Sequence, residues 1–198
     1  MLERGIDISH ETVSFWWNRF APMFAVEIRK RRVQQLRAHS NWQWYLDEVF
    51  VKINDETHYM WRAVDHEGEL LESYVTKCRD CKAALKFLRK SMKRHGCPHI
   101  LVTDKLRSYG AAMKAIGNAD RQATCRWMNN RAENSHLPFQ RRERAMQRFR
   151  SMRSLQKFVT VHASVYNYFN QERALYSRNN FKLNRVAALA EWRELGAA

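Results

Sequence analysis

What this sequence lacks narrows it before anything else does. It has no apolar run of about 18 residues, the least that a membrane-spanning helix needs. Its first residues, Met1-Leu2-Glu3-Arg4, contain no apolar stretch of the signal-peptide kind. Four cysteines in 198 residues are too few for a disulfide scaffold, so reduced thiols and a cytoplasmic setting are expected. Glycine (6) and proline (3) are sparse, while 45% of residues are hydrophobic and 12% aromatic. That balance excludes a disordered chain and fits one packed domain with room for a small appendage. Acids are also in short supply: 20 Asp and Glu face 35 Lys and Arg, giving a formal charge of +15. A folded domain with that charge favours a polyanionic partner, nucleic acid ahead of an anionic membrane or an acidic protein.

The few acids are gathered in one place. Between 41 and 76 stand Asp47, Glu48, Asp55, Glu56, Asp65, Glu67, Glu69 and Glu72, against only Lys52 and Arg62. The stretch 126–157 reverses this, with nine bases from Arg126 to Lys157 against Glu133 and Glu143. A third stretch, Lys77 to Arg94, carries eight bases and one acid, Asp80. An acidic segment inside a basic protein is either a solvated sheet edge or a metal site, where cations hold acids close to phosphate.

Periodicity supplies the order of elements. Residues 9–20 read as a helix with Ser9 as N-cap and an apolar face of Val13, Trp16, Trp17 and Phe20, a face expected to pack as core. Pro22 predicts a break and a new start. Three strand signals follow at Trp42–Ile53, His58–Val64 and Leu70–Thr76, with turn chemistry at Asp65-His66-Glu67-Gly68, so an antiparallel meander is expected. Asp80–His95 reads as an amphipathic helix, His99–Thr103 as a buried strand ending at Asp104, and Tyr109–Ile116 as a short helix closed by Gly117. From Asn129 the chain reads as helical, with a kink or interruption expected at Pro138, through a stripe from Leu155 to Phe169 and a terminal helix over Val186–Leu195.

Three strands, a helix, a strand ending in Asp and then further helices is the order of an RNase H-like α/β fold. In such a sheet an acid midway along the first strand can face one at the C-terminal end of its neighbour, and a third from a packed helix completes the set. Carboxylates that close repel one another, and divalent cations relieve the repulsion. Asp47 is the first-strand candidate: with period 2, Tyr45, Asp47, Val49 and Val51 share a face and Glu48 points to the other. Taken singly, each acid has a plain alternative. Asp47 could be a salt-bridge or turn residue, Asp104 a helix N-cap, and Glu133 an ion-pair partner within a basic helix.

The motifs resemble those of the DDE transposases of bacterial insertion sequences, most closely the insertion-sequence-six family. The matching segments are Leu46-Asp47-Glu48 with Val51-Lys52, Tyr59–Asp65, Val102-Thr103-Asp104-Lys105 with Ser108-Tyr109, Asn129–His136, Arg141–Met146 and Phe149–Met152. They run in the correct order from about Gly5 to the C-terminus. The resemblance implies an RNase H-like catalytic domain over 39–175, preceded at 1–38 by a helix-turn-helix with its basic linker and followed at 176–198 by a helical tail. It implies a catalytic triad of Asp47, Asp104 and Glu133 holding two Mg²⁺ (or Mn²⁺) ions. It also implies cleavage and strand transfer of double-stranded DNA at element ends and target, in a homo-oligomer within the bacterial cytoplasm, at the nucleoid. Lys105, Arg131, His136, Arg141, Arg142, Arg144 and Arg148 become candidate DNA contacts, Arg141, Arg142 and Arg144 through backbone phosphates. His10, Thr12 and Trp17 fall within Gly5–Phe20, which resembles the turn and recognition helix of the helix-turn-helix.

Three departures from the family pattern stand out. The interval between Asp104 and Glu133, 28 residues, is short for the family. Gln140 stands seven places after Glu133 where a basic residue is usual; Arg141 beside it points about 100° away on a helix. The first helix of the helix-turn-helix would lie before Met1, so a truncated recognition module is expected. A catalytically weak DNA-binding remnant that interferes with full-length transposase is therefore the rival reading, and a host nuclease of the same fold a weaker third. A zinc site from Cys78, Cys81, His95, Cys97 and His99 is set aside, because a helix of about 16 residues separates the two groups by over about 20 Å.

Overall fold

The computed structural model describes residues 8–36, 43–66, 68–104, 106–124, 130–145, 149–169 and 177–197. For Arg131 and Glu133 it describes the helical backbone alone, while Lys105 and Arg148 lie outside the described residues. In chain order the elements are α1 (His10–Leu36), β1 (Gln43–Ile53), β2 (Glu56–Asp65), β3 (Leu70–Thr76), α2 (Cys81–His95), β4 (Ile100–Thr103), α3 (Arg107–Ile116), a 3₁₀ turn (Ala119–Arg121), β5 (Gln122–Thr124), α4 (Asn130–Ala145), α5 (Met152–Phe169) and α6 (Arg178–Ala197). The strands form one sheet in the order β3-β2-β1-β4-β5. β2 runs antiparallel to both β1 and β3, and β4 runs parallel to β1 and β5. This is the mixed sheet of the RNase H-like fold.

Local chemistry explains the turns. Asn54 and Asp55 take φ of 50° and 65°, the left-handed pair that a two-residue hairpin between twisted strands requires. The β2–β3 turn closes where Asp65 accepts the Glu69 N–H through Oδ1 at 2.8 Å, with Gly68 at φ 88°. Asp80 caps α2 by accepting the Ala83 N–H at 2.8 Å. Gly117 ends α3 in the left-handed region at φ 82°.

The sheet buries both faces. On one, Trp44, Leu46, Trp61 and Ala63 pack with Phe87 and Leu88 of α2 and with Tyr109 and Met113 of α3. On the other, Val49, Val51, Ile53, Met60 and Val75 pack with Phe139 of α4 and with Leu155, Phe158 and Val159 of α5. The period-2 division of β1 is therefore as the sequence predicts. The outer edge of β3 is covered by side-chain amides of α5. Gln156 accepts the Val75 N–H at 2.8 Å and donates to the Ser73 carbonyl at 3.0 Å, and Asn167 brackets both backbone groups of Leu70. An edge covered in this way has little left to offer another chain's strand.

The N-terminal helix differs from expectation. α1 runs unbroken through Pro22. Proline removes one backbone donor, which leaves the carbonyl four residues earlier, that of Asn18, without its helical partner. Lys157 of α5 fills the gap: its Nζ donates at 2.9 Å to both the Asn18 carbonyl and the Asn18 Oδ1. The expected core face is also displaced. Trp16 is 46% exposed and Phe20 39%, and Trp17 lies against Phe158 at the rim; among the described side chains of α1 the buried ones are Ala25 and Ile28. Pro138 sits inside a continuous α4, so of the kink or interruption expected there the helix is not interrupted.

Two predictions follow from this packing. Lys157→Met should destabilise the protein by about 1 kcal/mol in urea unfolding. In a Pro22→Ala background, where residue 22 can again donate to Asn18, the same change should cost clearly less; equal costs in both backgrounds would contradict the repair. The second concerns His162, whose ring packs on Phe158 and stacks on Tyr166. Burial, and then the nearby Arg62 and Arg142, lower its pKa from 6.5 to about 4. The unfolded chain therefore takes up a proton between those values while the folded chain does not, so stability falls as pH drops through that window. His162→Phe should gain about 1–2 kcal/mol on wild type between pH 7 and pH 5.

Candidate active site

The carboxylates meet where β1 and β4 part. The two strands pair only from Gln43↔Ile100 to Tyr45↔Val102, so Asp47 on β1 and Asp104 just after β4 lie past the last pair. Asp47 Oδ1 accepts the Glu48 N–H at 2.9 Å. Asp104 Oδ1 accepts the Leu106 N–H at 3.0 Å, which fixes the carboxylate at the turn into α3. Oxygens of Asp47, Glu48 and Asp104 all lie within 4.8 Å of one another, the one such group of three potential metal ligands among the described residues. At that distance like charges repel by roughly 3 kcal/mol per pair before solvent screening reduces it. Hard oxygen donors crowded in this way fit a divalent cation. Glu133 stands on α4, whose Phe139 packs on the same sheet face that carries Asp47.

Cations are built into the walls. Arg62 on β2 is the cross-strand partner of Asp47 and only 2% exposed. Its Nη2 donates to the Ser135 carbonyl of α4 at 2.9 Å, tying that helix to the sheet beside Asp47. Burial lowers its pKa to about 10, against the opposing pull of Tyr166 and Asp47, so it stays charged at neutral pH. Arg79, in the loop before α2, makes a close ion pair with Glu48 and stands 3.8 Å from Asp104 Oδ2. Tyr109, fully buried, donates its hydroxyl to Glu48 Oε2 at 3.3 Å. Burial and the Asp104 charge push the Glu48 pKa up, while Arg79 and Tyr109 pull it down.

The predicted DNA contacts fall into separate groups. His136 is turned into the protein at 8% exposure, with Nε2 3.6 Å from Asp47 Oδ2, too long for a hydrogen bond. Burial and then Arg62 lower its pKa to about 3, so the ring is neutral. It offers no charge to a phosphate in this position. Arg141, Arg142 and Arg144 are exposed on the last turns of α4. His10 is exposed at the start of α1, and Thr12 is engaged in the helix cap, where its N–H donates to Ser9 Oγ at 3.2 Å. Trp17 is 38% exposed against α5. α1 packs on α5, which covers β3, at the sheet edge opposite β5.

Reading the sequence alone misses Glu48 and Arg79. Glu48 does point to the opposite face from Asp47, but beyond the last β1–β4 pair nothing separates the two faces, and both side chains reach Asp104. The available signal was an acid at an inward position of an apolar strand, which needs a buried partner.

Residues 41–172 match the family model described as a DDE domain, of the IS240 transposase type. The chain is 27% identical over 179 residues to the transposase for the insertion sequence-like element IS431mec of Staphylococcus aureus, covering 88% of this chain and 78% of that one. It is 26% identical over 178 residues to the transposase for insertion sequence element IS257 in transposon Tn4003, also of Staphylococcus aureus, covering 87% and 77%. Among solved structures, the catalytic core domain of HTLV-2 integrase in complex with magnesium overlaps 72% of this chain and 96% of that one, at a TM-score of 0.48 and 11% identity. The simian T-cell lymphotropic virus intasome gives a TM-score of 0.48 and 14% identity, over 62% of this chain and 48% of that one. The family match spans most of the chain, and its interval contains Asp47, Asp104 and Glu133: the chain belongs to the DDE transposases of bacterial insertion sequences, the IS6 group, and its activity is DNA transposition.

Proposed function

We propose that Asp47 and Asp104, with Glu133 from α4, are the catalytic acids and hold two Mg²⁺ ions, Mn²⁺ being able to replace them. The observation that carries this is the meeting of the Asp47 and Asp104 carboxylates where β1 and β4 part. Bound there, the ions would supply activation of an attacking water or 3′-hydroxyl and stabilisation of the leaving oxygen in phosphodiester cleavage and strand transfer. The chain's own residues set the stage. Arg62 holds α4, and with it Glu133, against the strand that bears Asp47. His136, neutral and buried, keeps water from one side of the Asp47 carboxylate.

The substrate of this reading is double-stranded DNA, the element's ends and its target, worked on by a homo-oligomer at the bacterial nucleoid. Arg141, Arg142 and Arg144 would grip backbone phosphates, joined by Lys105, Arg131 and Arg148. His10, Thr12 and Trp17 would contact DNA from an N-terminal module over 1–38, beside a catalytic domain over 39–175 and a tail over 176–198. Support for a polyanionic partner comes from the +15 charge and from the exposure of the three α4 arginines.

Strand transfer of a labelled element end tests the assignment. Asp104→Asn and Glu133→Gln should each lower the Mg²⁺-dependent rate by at least about 10²–10³-fold while leaving DNA binding in place. Wild-type protein that binds DNA but transfers no strand with Mg²⁺ or Mn²⁺ would sink the catalytic reading and leave a DNA-binding remnant. Replacing Arg141, Arg142 and Arg144 together by Ala should flatten the dependence of log Kd on log salt by about 2.7, at about 0.9 per phosphate contact. An unchanged slope would remove those arginines from the interface.

A further inference from the structure

We propose that Arg79 is a further catalytic residue, a phosphate-binding cation at the rim of the acid cluster, and that Glu48 anchors it without being a metal ligand. The proposal rests on the reading of Asp47 and Asp104 as the metal-holding pair.

The geometry separates the three acids of the cluster into two kinds. Asp104 is open to solvent, its side chain 39% exposed, and Asp47 is 16% exposed. The Glu48 side chain is only 2% exposed, and both of its oxygens are engaged, Oε1 by Arg79 and Oε2 by the buried Tyr109 hydroxyl. A divalent ion on Glu48 would have to displace the guanidinium that already neutralises this buried carboxylate, leaving Arg79 without its partner.

Arg79 itself is held from several sides yet faces outward. Its guanidinium lies over the Phe50 ring at 5.3 Å, and its carbonyl accepts the Ser108 hydroxyl at 3.3 Å. The side chain is 33% exposed, and Nη2 stands 3.8 Å from Asp104 Oδ2. A phosphate drawn to cations on Asp104 therefore comes within reach of this fixed guanidinium. Negative charge builds on the phosphate oxygens during transfer, and a donor already oriented in a partly dry wall stabilises it without reorganising. Arginine suits that place because its planar fork can face Glu48 with one edge and another anion with the other. Glu48 is thus a positioning residue, acting through Arg79.

Three measurements on the full chain decide the matter. In Mn²⁺ titration of the protein alone, E48Q and R79Q should keep wild-type stoichiometry and affinity to within about threefold, whereas D104N should lose at least about tenfold. With a labelled duplex carrying the element's end, R79Q and E48Q should cut about 10²-fold more slowly. The double variant should be no slower than R79Q, because both changes remove one device, and R79K should recover part of the rate. With Ca²⁺ replacing the catalytic ion, the metal-dependent gain in affinity for the same duplex should fall about tenfold in R79Q, a readout that needs no turnover. Loss of an Mn²⁺ ion in E48Q would make Glu48 a ligand and overturn its part. R79Q that cuts at the wild-type rate, or keeps the full metal-dependent affinity, would overturn Arg79's part. A wild-type chain that binds Mn²⁺ but neither binds nor cuts the duplex would overturn the transposase site and Arg79's role together, while the E48Q titration would still settle Glu48.

Discussion

Repulsion between carboxylates at the fork of β1 and β4 is the constraint on which the rest of the structure depends. A sheet that stayed paired beyond Tyr45↔Val102 would leave no gap for Asp104 to enter beside Asp47. Because the strands part, oxygens of three acids come within 4.8 Å. Such a cluster persists only if cations surround it, and this chain supplies them in the walls. Arg62 lies behind Asp47, buried on the α4 side, and Arg79 faces Glu48 and Asp104 on the α2–α3 side. The two arginines also connect elements. Arg62 ties β2 to α4 through the Ser135 carbonyl, and Arg79 joins the β3–α2 loop to β1 through its pair with Glu48, which Tyr109 of α3 also contacts. The electrostatics of the site and the assembly of the domain are therefore one problem with one solution.

Much of this was legible in the sequence, for identifiable reasons. β1, β2, β3 and β4 announced themselves through runs of β-branched and aromatic residues bounded by turn chemistry at Asn54-Asp55 and Asp65–Gly68. α2 was legible through its N-cap Asp80 and its apolar stripe. The alternation along β1 placed Asp47 on the α4 face and Glu48 on the other, as observed. What stayed hidden depends on distant contacts. No local signal shows that Lys157, far along the chain, repairs the carbonyl freed by Pro22, so a break was expected where one helix runs through. Nor does helical spacing tell an exposed apolar face from a buried one, and Trp16 and Phe20 lie on the exposed side.

His136 teaches the same lesson from the other direction. Its position one turn after Glu133 in a basic helix suggested contact with DNA, yet burial next to Arg62 holds it neutral, pointing toward Asp47. Helical spacing fixed its distance from Glu133; only the docking of α4 on the sheet fixed which way it faces. The basic surface belongs instead to the following turns, where Arg141, Arg142 and Arg144 are exposed. Acids at the fork and exposed bases along the outer end of α4 give the two ends of this helix surroundings of opposite charge.

On the proposed reading the fork of β1 and β4 is a two-cation site built on Asp47 and Asp104, with Glu133 completing it and Glu48 excluded from it. Anomalous diffraction from crystals of the chain soaked in Mn²⁺ tests this most directly. Anomalous peaks should appear within about 2.0–2.4 Å of oxygens of Asp47 and Asp104, with Glu133 among the ligands and the Glu48–Arg79 pair intact. Peaks coordinated by Glu48 with Arg79 displaced, or no peak at the fork at saturating Mn²⁺, would contradict it.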